Sequence, residues 1–377
     1  MARNINKRLD QLKARRQGTD RLDRLALDEQ RVVLAKSLQS ENWQMREKSR
    51  PYTRYALGSM QEVGPDYTRI SIETAQRVQQ QLASGLSARG FSVGFRLQGS
   101  VPLNVHIRGV SDVDLLNIDT NFLTYMAIGQ HAREGRYTGT TLNSIDVLLK
   151  LRAASEQILK DKYPAAVVDV SGGKAISISG GSLQRPVDVV PAPWHDTIEY
   201  QASNAEHDRG VQILNKKVPE TVQNLPFLHI KRIDERDQQA LGGLKKSIRL
   251  CKNVKSDAES DGTDITLPSF DIAAMMYHAN MQSLRNGVVY ELAILAETQR
   301  HVDALARNLD AARKLMVPDG TRAIFNTDSK LQGLIKLSLE LDDLSLEVAK
   351  ELNANISLHN SSLNDSRTIL SSTFIPT

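Results

Sequence analysis

Two aspartates separated by a single residue, Asp112 and Asp114, form the pair whose spacing most directly suggests chemistry. On a strand, alternate side chains project from the same face, so both carboxylates would point together while Val113 points the other way. Neighbouring carboxylates repel each other unless a cation neutralises them, and Mg²⁺ or Mn²⁺ prefers such hard oxygen ligands. The pair therefore predicts a divalent metal site.

A third carboxylate, Asp188, lies in the run Val187-Asp-Val-Val-Pro191, which is typical of another strand. With valine on both sides, an unpaired charge there would be hard to justify structurally. If this strand lies beside the first, three carboxylates can hold two metal ions about 3.5–4 Å apart, one activating a hydroxyl and one stabilising a leaving pyrophosphate. The sequence thus predicts that Asp112, Asp114 and Asp188 are catalytic and hold two Mg²⁺ or Mn²⁺ ions.

A Gly-Ser turn, Gly99-Ser100, comes directly after the first predicted strand. Glycine lets backbone amides approach a phosphate closely, and the serine hydroxyl can donate to the same oxygens. Gly-Ser and Asp-x-Asp pairs are each common by chance, so the information lies in their order along successive strands. Gly99 and Ser100 are therefore predicted to bind phosphate.

The elements that must position these residues form a sheet region followed by a helical half. Short β-branched runs predict strands, and apolar residues three and four apart predict helices. The predicted strands are 91–97, 113–118, 166–170, 175–178 and 187–190, with helices at 71–86 and 141–159. After Trp194 we expect no strands, but helices at 207–255, 270–285, 287–316 and 329–353 and a surface loop at 255–266.

These patterns predict an α+β fold, in which a mixed β-sheet core is fused to a helical C-terminal lobe. An N-terminal helical arm would occupy residues 1–50, the core 51–204 and the lobe 205–377. The arm is basic, with 14 Lys and Arg against 7 Asp and Glu in residues 1–54, although the net charge of the whole chain is only +4. It could bind polyanions or form a solvated helix with mixed charges.

The composition argues against a membrane-spanning protein and against a secreted protein with disulfide bonds. The 377 residues contain no apolar stretch of the roughly 18 residues that span a bilayer, and residues 1–40 lack the apolar segment of a signal peptide. The single cysteine, Cys251, excludes an intrachain disulfide and favours a reducing cytoplasm, where a buried inert thiol is expected. We expect no membrane association and no stable nucleic acid binding.

The motifs resemble a known family. Gly99-Ser100, Ser111-Asp-Val-Asp-Leu-Leu116 and Val187-Asp-Val-Val-Pro191 are similar to the signature of polymerase-β-like nucleotidyltransferases, most of all the branch of oligoadenylate synthetases, cyclic GMP–AMP synthase and bacterial CD-NTases. The first two elements belong to the whole superfamily, whereas the third is more typical of this branch. The interval 101–110 departs from the Gly-rich pattern of relatives and contains His106 and Arg108.

The resemblance extends into the helical half. Lys245, Arg249 and Lys252 share one helical face, which by itself is typical of a solvated surface. Arg249-Leu-Cys-Lys252, however, resembles the Arg-x-x-Lys helix that contacts the donor triphosphate in this branch. Ser269-Phe270 resembles the Ser-Tyr pair that touches phosphate and stacks on the donor base. The resemblance implies that these four residues bind nucleotide; alternatively, Phe270 anchors its helix in the core.

The leading hypothesis is a CD-NTase that joins nucleoside triphosphates, ATP among them, into a cyclic or linear oligonucleotide messenger in bacterial antiphage defence. It would release pyrophosphate, and a regulatory protein partner is possible in such a system. One alternative is a transferase that adds nucleotides to RNA ends or to a protein. Another is a non-catalytic nucleotide-binding scaffold. The presence of all three carboxylates argues against this alternative.

Overall fold

The computed structural model of this protein describes residues 4–19, 40–354 and 362–376. The chain divides into two compact units. The sheet unit comprises Gly64–Leu103 and Ser111–Arg232, and the helix unit comprises Met1–Val63, Asn104–Val110 and Ile233–Thr377. The three segments expected from sequence are consecutive stretches, whereas these two units are interleaved along the chain.

Strands and helices occupy most of the described residues. The strands are β1 Val93–Gln98, β2 Val113–Tyr125, β3 Val167–Asp169, β4 Ile176–Gly180, β5 Leu183–Asp196, β6 Gly210–Asn215 and β7 Glu220–Asn224. The helices are α1 Ile5–Gln17, α2 Asn42–Met45, α3 Pro51–Met60, α4 Pro65–Ser87, α5 Gln130–Arg133, α6 Ser144–Lys162, α7 Ile198–Ser203, α8 Pro226–Gln239, α9 Gly243–Ser260, α10 Ser269–Tyr277, α11 Met281–Arg285, α12 Ala293–Arg307, α13 Leu309–Lys314, α14 Asp328–Leu352 and α15 Leu363–Ser372.

Within the described residues the strands form one mixed sheet in the order β1-β2-β5-β4-β3, and β6 pairs with both β5 and β7. The two central strands, β2 and β5, run parallel, while every other pairing is antiparallel. This mixed sheet, together with the helices that follow it, confirms the predicted fold class. No helix among the described residues is both long and apolar enough to cross a membrane.

One face of the sheet is covered by α4 and α6. Leu82 of α4 and Leu151 of α6 are buried in the same apolar cluster as Leu115, Val187 and Val189. Burial of such side chains supplies about 25 cal/mol for each Å² removed from water. The odd-numbered residues of β2 and β5 therefore point into this core at this level of the sheet, which leaves the even-numbered ones on the opposite face.

The opposite face is apolar farther along the same two strands. Leu116 and Ile118 of β2 form a second buried cluster with Val190 and Ala192 of β5. Asp114 precedes Leu116 by two residues, and Asp188 precedes Val190 by two. The carboxylates thus lie next to this apolar face, at the level where the pairing of β2 with β5 begins.

The five predicted strands correspond to β1 through β5, but the prediction that strands end after Trp194 is wrong. The segment 207–255, expected to be helical, contains β6 and β7. Val211 of β6 pairs with Trp194 at the far end of β5. The two strands are short, and β6 is held by pairing with β5, from which α7 separates it in sequence. Local patterns of residues therefore give little sign of them. The predicted loop at 255–266 also begins later than expected, because α9 continues to Ser260.

In the helix unit, the cations of α1 are paired with carboxylates. Arg8 donates to Glu340 at 2.8 Å, and Arg15 donates to Asp257 at 2.8 Å. Both arginines are buried. The described part of the predicted N-terminal arm is therefore docked rather than solvated.

Cys251 is buried, and burial raises the pKa of its thiol to about 12, as expected for an inert thiol.

Candidate active site

The predicted carboxylates meet in the sheet unit through strand register. Asp114 of β2 lies directly opposite Asp188 of the parallel strand β5. Cross-strand partners point to the same face. The valines that flank Asp188 are fully buried in the core behind it, while both carboxylates are half-buried. The run Val187-Asp-Val189 thus lies on a strand, as the sequence predicted, with the aspartate directed away from the buried valines.

Asp112 lies immediately before β2, which begins at Val113. Its side chain is exposed. Among the described residues, no three His, Cys, Asp or Glu side chains form a group that could hold a metal ion. The three-carboxylate metal site therefore stays a prediction. What supports it is the chemistry of the oxygen donors and the register that places Asp114 beside Asp188.

The Gly-Ser turn follows β1 and lies against Asp114. Gly99 has a φ of +76°, a left-handed conformation that favours glycine. A Cβ atom at this position would overlap the carboxylate of Asp114. Both the backbone conformation and the close approach therefore require glycine, and Ser100 follows it half-buried in the same turn.

Two further polar residues, which the sequence did not single out, extend the row across the sheet. Gln98 of β1 pairs with Asp114, and Ser177 of β4 pairs with Asp188. The Ser177 hydroxyl donates a hydrogen bond to Oδ1 of Asp188. The alternation Ile176-Ser-Ile-Ser179 could have indicated that Ser177 faces away from the core. Its position opposite Asp188 depends on the order of the strands, which local patterns do not reveal.

The predicted triphosphate ligands belong to the helix unit. Arg249 and Lys252, on α9, are 5% and 3% exposed. Arg249 donates to the carbonyl oxygens of Met60 at 2.9 Å and Asn104 at 2.7 Å, and Lys252 donates to that of Val105 at 2.8 Å. Burial lowers the pKa of Arg249 to about 10, so its guanidinium still carries a charge at neutral pH. These cations hold main-chain carbonyls in this structure, and their contact with triphosphate stays a prediction.

The predicted Ser-Phe pair begins α10. Ser269 is the first residue of this helix and is exposed, whereas Phe270 is half-buried. The Arg322 guanidinium lies 5.4 Å from the centre of the Phe270 ring. The same arginine donates to the buried carboxylate of Asp271 at 2.6 Å. Phe270 is thus neither a fully buried anchor nor an uncovered aromatic face, and both predicted roles remain open.

This chain is similar to known proteins in its C-terminal helical region, in its overall sequence and in its fold. Residues 231–335 match the family described as the cGAS/DncV-like nucleotidyltransferase C-terminal helical domain. The chain is 43% identical over 356 residues to the cyclic dinucleotide synthase CdnE of Yersinia aleksiciae, and the match covers 92% of each protein.

Two solved structures are similar over nearly the whole chain. The STING-associated CdnE c-di-GMP synthase from Capnocytophaga granulosa superimposes with a TM-score of 0.68 at 27% identity, covering 91% of this chain and 97% of that one. The corresponding enzyme from Flavobacteriaceae sp. has a TM-score of 0.70 at 24% identity, covering 96% of this chain and 100% of that one; this likeness concerns the fold alone.

Proposed function

The chain belongs to the CdnE family of cyclic dinucleotide synthases, and we propose that it joins two nucleoside triphosphates into a cyclic dinucleotide at the paired aspartates of its two central strands. It is a nucleotidyltransferase. The observation that carries the assignment of the site is the parallel register of Asp114 and Asp188, with the Gly99 turn against the first of them. A buried pair of parallel strands that carries two neighbouring carboxylates on one face is suited to metal-assisted phosphoryl chemistry.

Each of the two steps is an in-line displacement at an α-phosphate. A ribose hydroxyl oxygen forms a new bond to phosphorus, the bond from phosphorus to the pyrophosphate oxygen breaks, and the hydroxyl proton leaves to water or a carboxylate. The first step links two nucleotides, and the second closes the ring. Both need the hydroxyl and the leaving group held in line, since positioning supplies much of the rate enhancement in phosphoryl transfer.

The residues proposed to form the site are of three kinds: carboxylates, phosphate-binding groups and an aromatic residue that stacks on a base. Asp112, Asp114 and Asp188 would hold two Mg²⁺ or Mn²⁺ ions, which when bound activate the hydroxyl and stabilise the departing pyrophosphate. The proposed phosphate ligands are Gly99, Ser100, Arg249, Lys252 and Ser269, and the proposed base platform is Phe270.

The first base to test is guanine. One of the similar solved proteins, at 27% identity, is a c-di-GMP synthase. We therefore propose GTP as the first substrate to test.

The proposed function includes a role for the product as a second messenger in antiphage defence, a location in the cytoplasm and control by a protein partner. Reduced plating of phage on cells that express the active chain, but not an inactive variant, tests the defence role.

The reaction is tested with purified protein, Mg²⁺ or Mn²⁺, and labelled ATP, GTP, CTP and UTP, singly and in pairs, with products resolved by chromatography and mass spectrometry. We expect a cyclic dinucleotide from the wild type and none from the double variant Asp112→Asn, Asp114→Asn, which should remain folded because both carboxylates contribute little to packing. Label transferred to RNA ends or to a protein would support the alternative transferase. Normal turnover by the double variant would overturn the site.

A further inference from the structure

The strand that borders Asp188 presents two serines on the face of the carboxylates. Ile176 and Ile178 of β4 are fully buried in the core beneath the sheet. Because side chains alternate along a strand, Ser177 and Ser179 point to the other face. Ser177 lies between Asp188 of β5 and Asp169 of β3, whereas Ser179 is registered only with Val167 of β3. Of these two, Ser177 is therefore the one that lies in the carboxylate row.

The hydrogen bond from Ser177 fixes one oxygen of the Asp188 carboxylate. The Ser177 hydroxyl donates to Oδ1, so rotation about the bond to the carboxylate group is restricted. Val187 and Val189 are buried and hold the backbone on both sides of the aspartate. Backbone and side chain of Asp188 are thus both held, as required of a carboxylate that must present an oxygen in one direction.

Ser177 is itself held by a turn that a buried arginine organises. Arg152 of α6 is 2% exposed. Its guanidinium donates to four consecutive carbonyl oxygens in the turn between β3 and β4, at 2.8 to 3.2 Å; they belong to Gly172, Gly173, Lys174 and Ala175. Ala175 comes two residues before Ser177, so this cation fixes the point at which β4 begins.

We propose that Ser177 is a positioning residue for Asp188, which it orients toward a divalent cation shared with Asp114. The proposal rests on the proposed function, since it concerns a carboxylate of the same site. Ser177 does not touch the reacting atoms in this role; it acts through Oδ1 of Asp188. Hydrogen-bond donors of this kind typically change metal affinity or activity by about 10–100-fold when they are removed.

The test compares Ser177→Ala with Ser179→Ala, which removes the same hydroxyl from the same strand and face but from a position that is not registered with Asp188. Three quantities are measured for each full-length protein: Mn²⁺ affinity by calorimetry or electron paramagnetic resonance, the rate of product formation against Mg²⁺ concentration, and the melting temperature. We expect Ser177→Ala to weaken Mn²⁺ binding about 10-fold or more and to lower the rate correspondingly. Ser179→Ala should match the wild type, and both variants should melt alike.

Two further variants show that the effect passes through Asp188. Ser177→Thr keeps a hydroxyl on a β-branched side chain and should recover most of the Mn²⁺ affinity. In an Asp188→Asn background, Ser177→Ala should cause no additional loss. Equal Mn²⁺ affinity in Ser177→Ala and wild type, an equal loss in Ser179→Ala, or no Mn²⁺ binding by the wild type would each overturn the proposal. If the wild type forms no product, the proposed function fails, while the Mn²⁺ comparison still decides the role of Ser177.

Discussion

At Gly99 the backbone is left-handed and a side chain would overlap the carboxylate of Asp114. Two separate costs would follow from Gly99→Ala. The left-handed conformation costs an L-residue about 1–2 kcal/mol, and the added methyl group displaces the carboxylate. A displacement of about 1 Å at a reacting centre can cost 10²-fold in rate. We therefore expect Gly99→Ala to reduce cyclic dinucleotide formation by about 100-fold while the protein stays folded.

Gly90→Ala is the matched control for this change. Gly90 has a φ of +81°, close to that of Gly99, but a Cβ atom there would meet no atom within 4 Å. Both variants should lose stability in urea unfolding from the left-handed conformation, Gly99→Ala somewhat more because its methyl group also displaces the carboxylate, and only Gly99→Ala should lose activity. Equal activity in the two variants would show that the approach of Gly99 to Asp114 is unimportant for the reaction.

At the scale of elements, local pattern predicted the strands that carry the carboxylates but not which strands pair with them. Buried Val187 and Val189 around Asp188 are visible in sequence as a strand with one polar position. The pairing of Val211 with Trp194, and of Ser177 with Asp188, depends on strand order. Strand order is set by contacts between distant segments, so no short window of sequence contains it.

The helix that carries Arg249 and Lys252 shows the same limit. Spacing correctly placed both cations on one face of α9, but it could not show that this face is buried against main-chain carbonyls. The partners are Asn104 and Val105, about 145 residues away in sequence. A sequence pattern reports which residues share a face, whereas the environment of that face is a property of the folded chain.

These buried contacts predict a loss of stability in Arg249→Met. The change would leave the buried carbonyl of Met60 and the partly buried carbonyl of Asn104 without this donor, and an unsatisfied buried acceptor costs about 1–3 kcal/mol. We expect the free energy of unfolding in urea to fall accordingly. Arg307→Met is the control, because Arg307 is also on a helix but its side chain is 70% exposed.

Nucleotide affinity measured on the same proteins separates the two roles of Arg249. Weaker binding of nucleoside triphosphate by Arg249→Met, under conditions where it remains folded, would support the triphosphate contact implied by the resemblance. Unchanged affinity together with lower stability would assign the guanidinium to holding the chain at Asn104. Unchanged stability would contradict the structural role.

At the scale of the whole molecule, the first helix is joined to residues from the far end of the sequence. Arg15 bonds to Asp257, whose side chain is 0% exposed and also accepts a hydrogen bond from Tyr55 at 2.6 Å. Removing one partner of a buried ion pair leaves an uncompensated charge, which typically costs about 3–5 kcal/mol. We expect Arg15→Met to lower the free energy of unfolding by that amount, as measured in urea.

Lys13→Met, on the same helix but with a partly exposed side chain 3.6 Å from Asp10, should change stability far less. Adding Asp257→Asn to Arg15→Met should recover part of the loss, since it removes the unpaired charge. If Arg15→Met and Lys13→Met were equally stable, the ion pair with Asp257 would not hold the first helix in place.

The bond between Arg8 and Glu340 joins positions 332 residues apart, and this separation sets an order of events during synthesis. Ribosomes add about 5–20 residues each second, so Glu340 is made tens of seconds after Arg8. The sheet unit ends at Arg232 and has all of its strands well before then. The nascent chain can thus form the sheet that carries the carboxylates before Glu340, a partner of the first helix, has been synthesised.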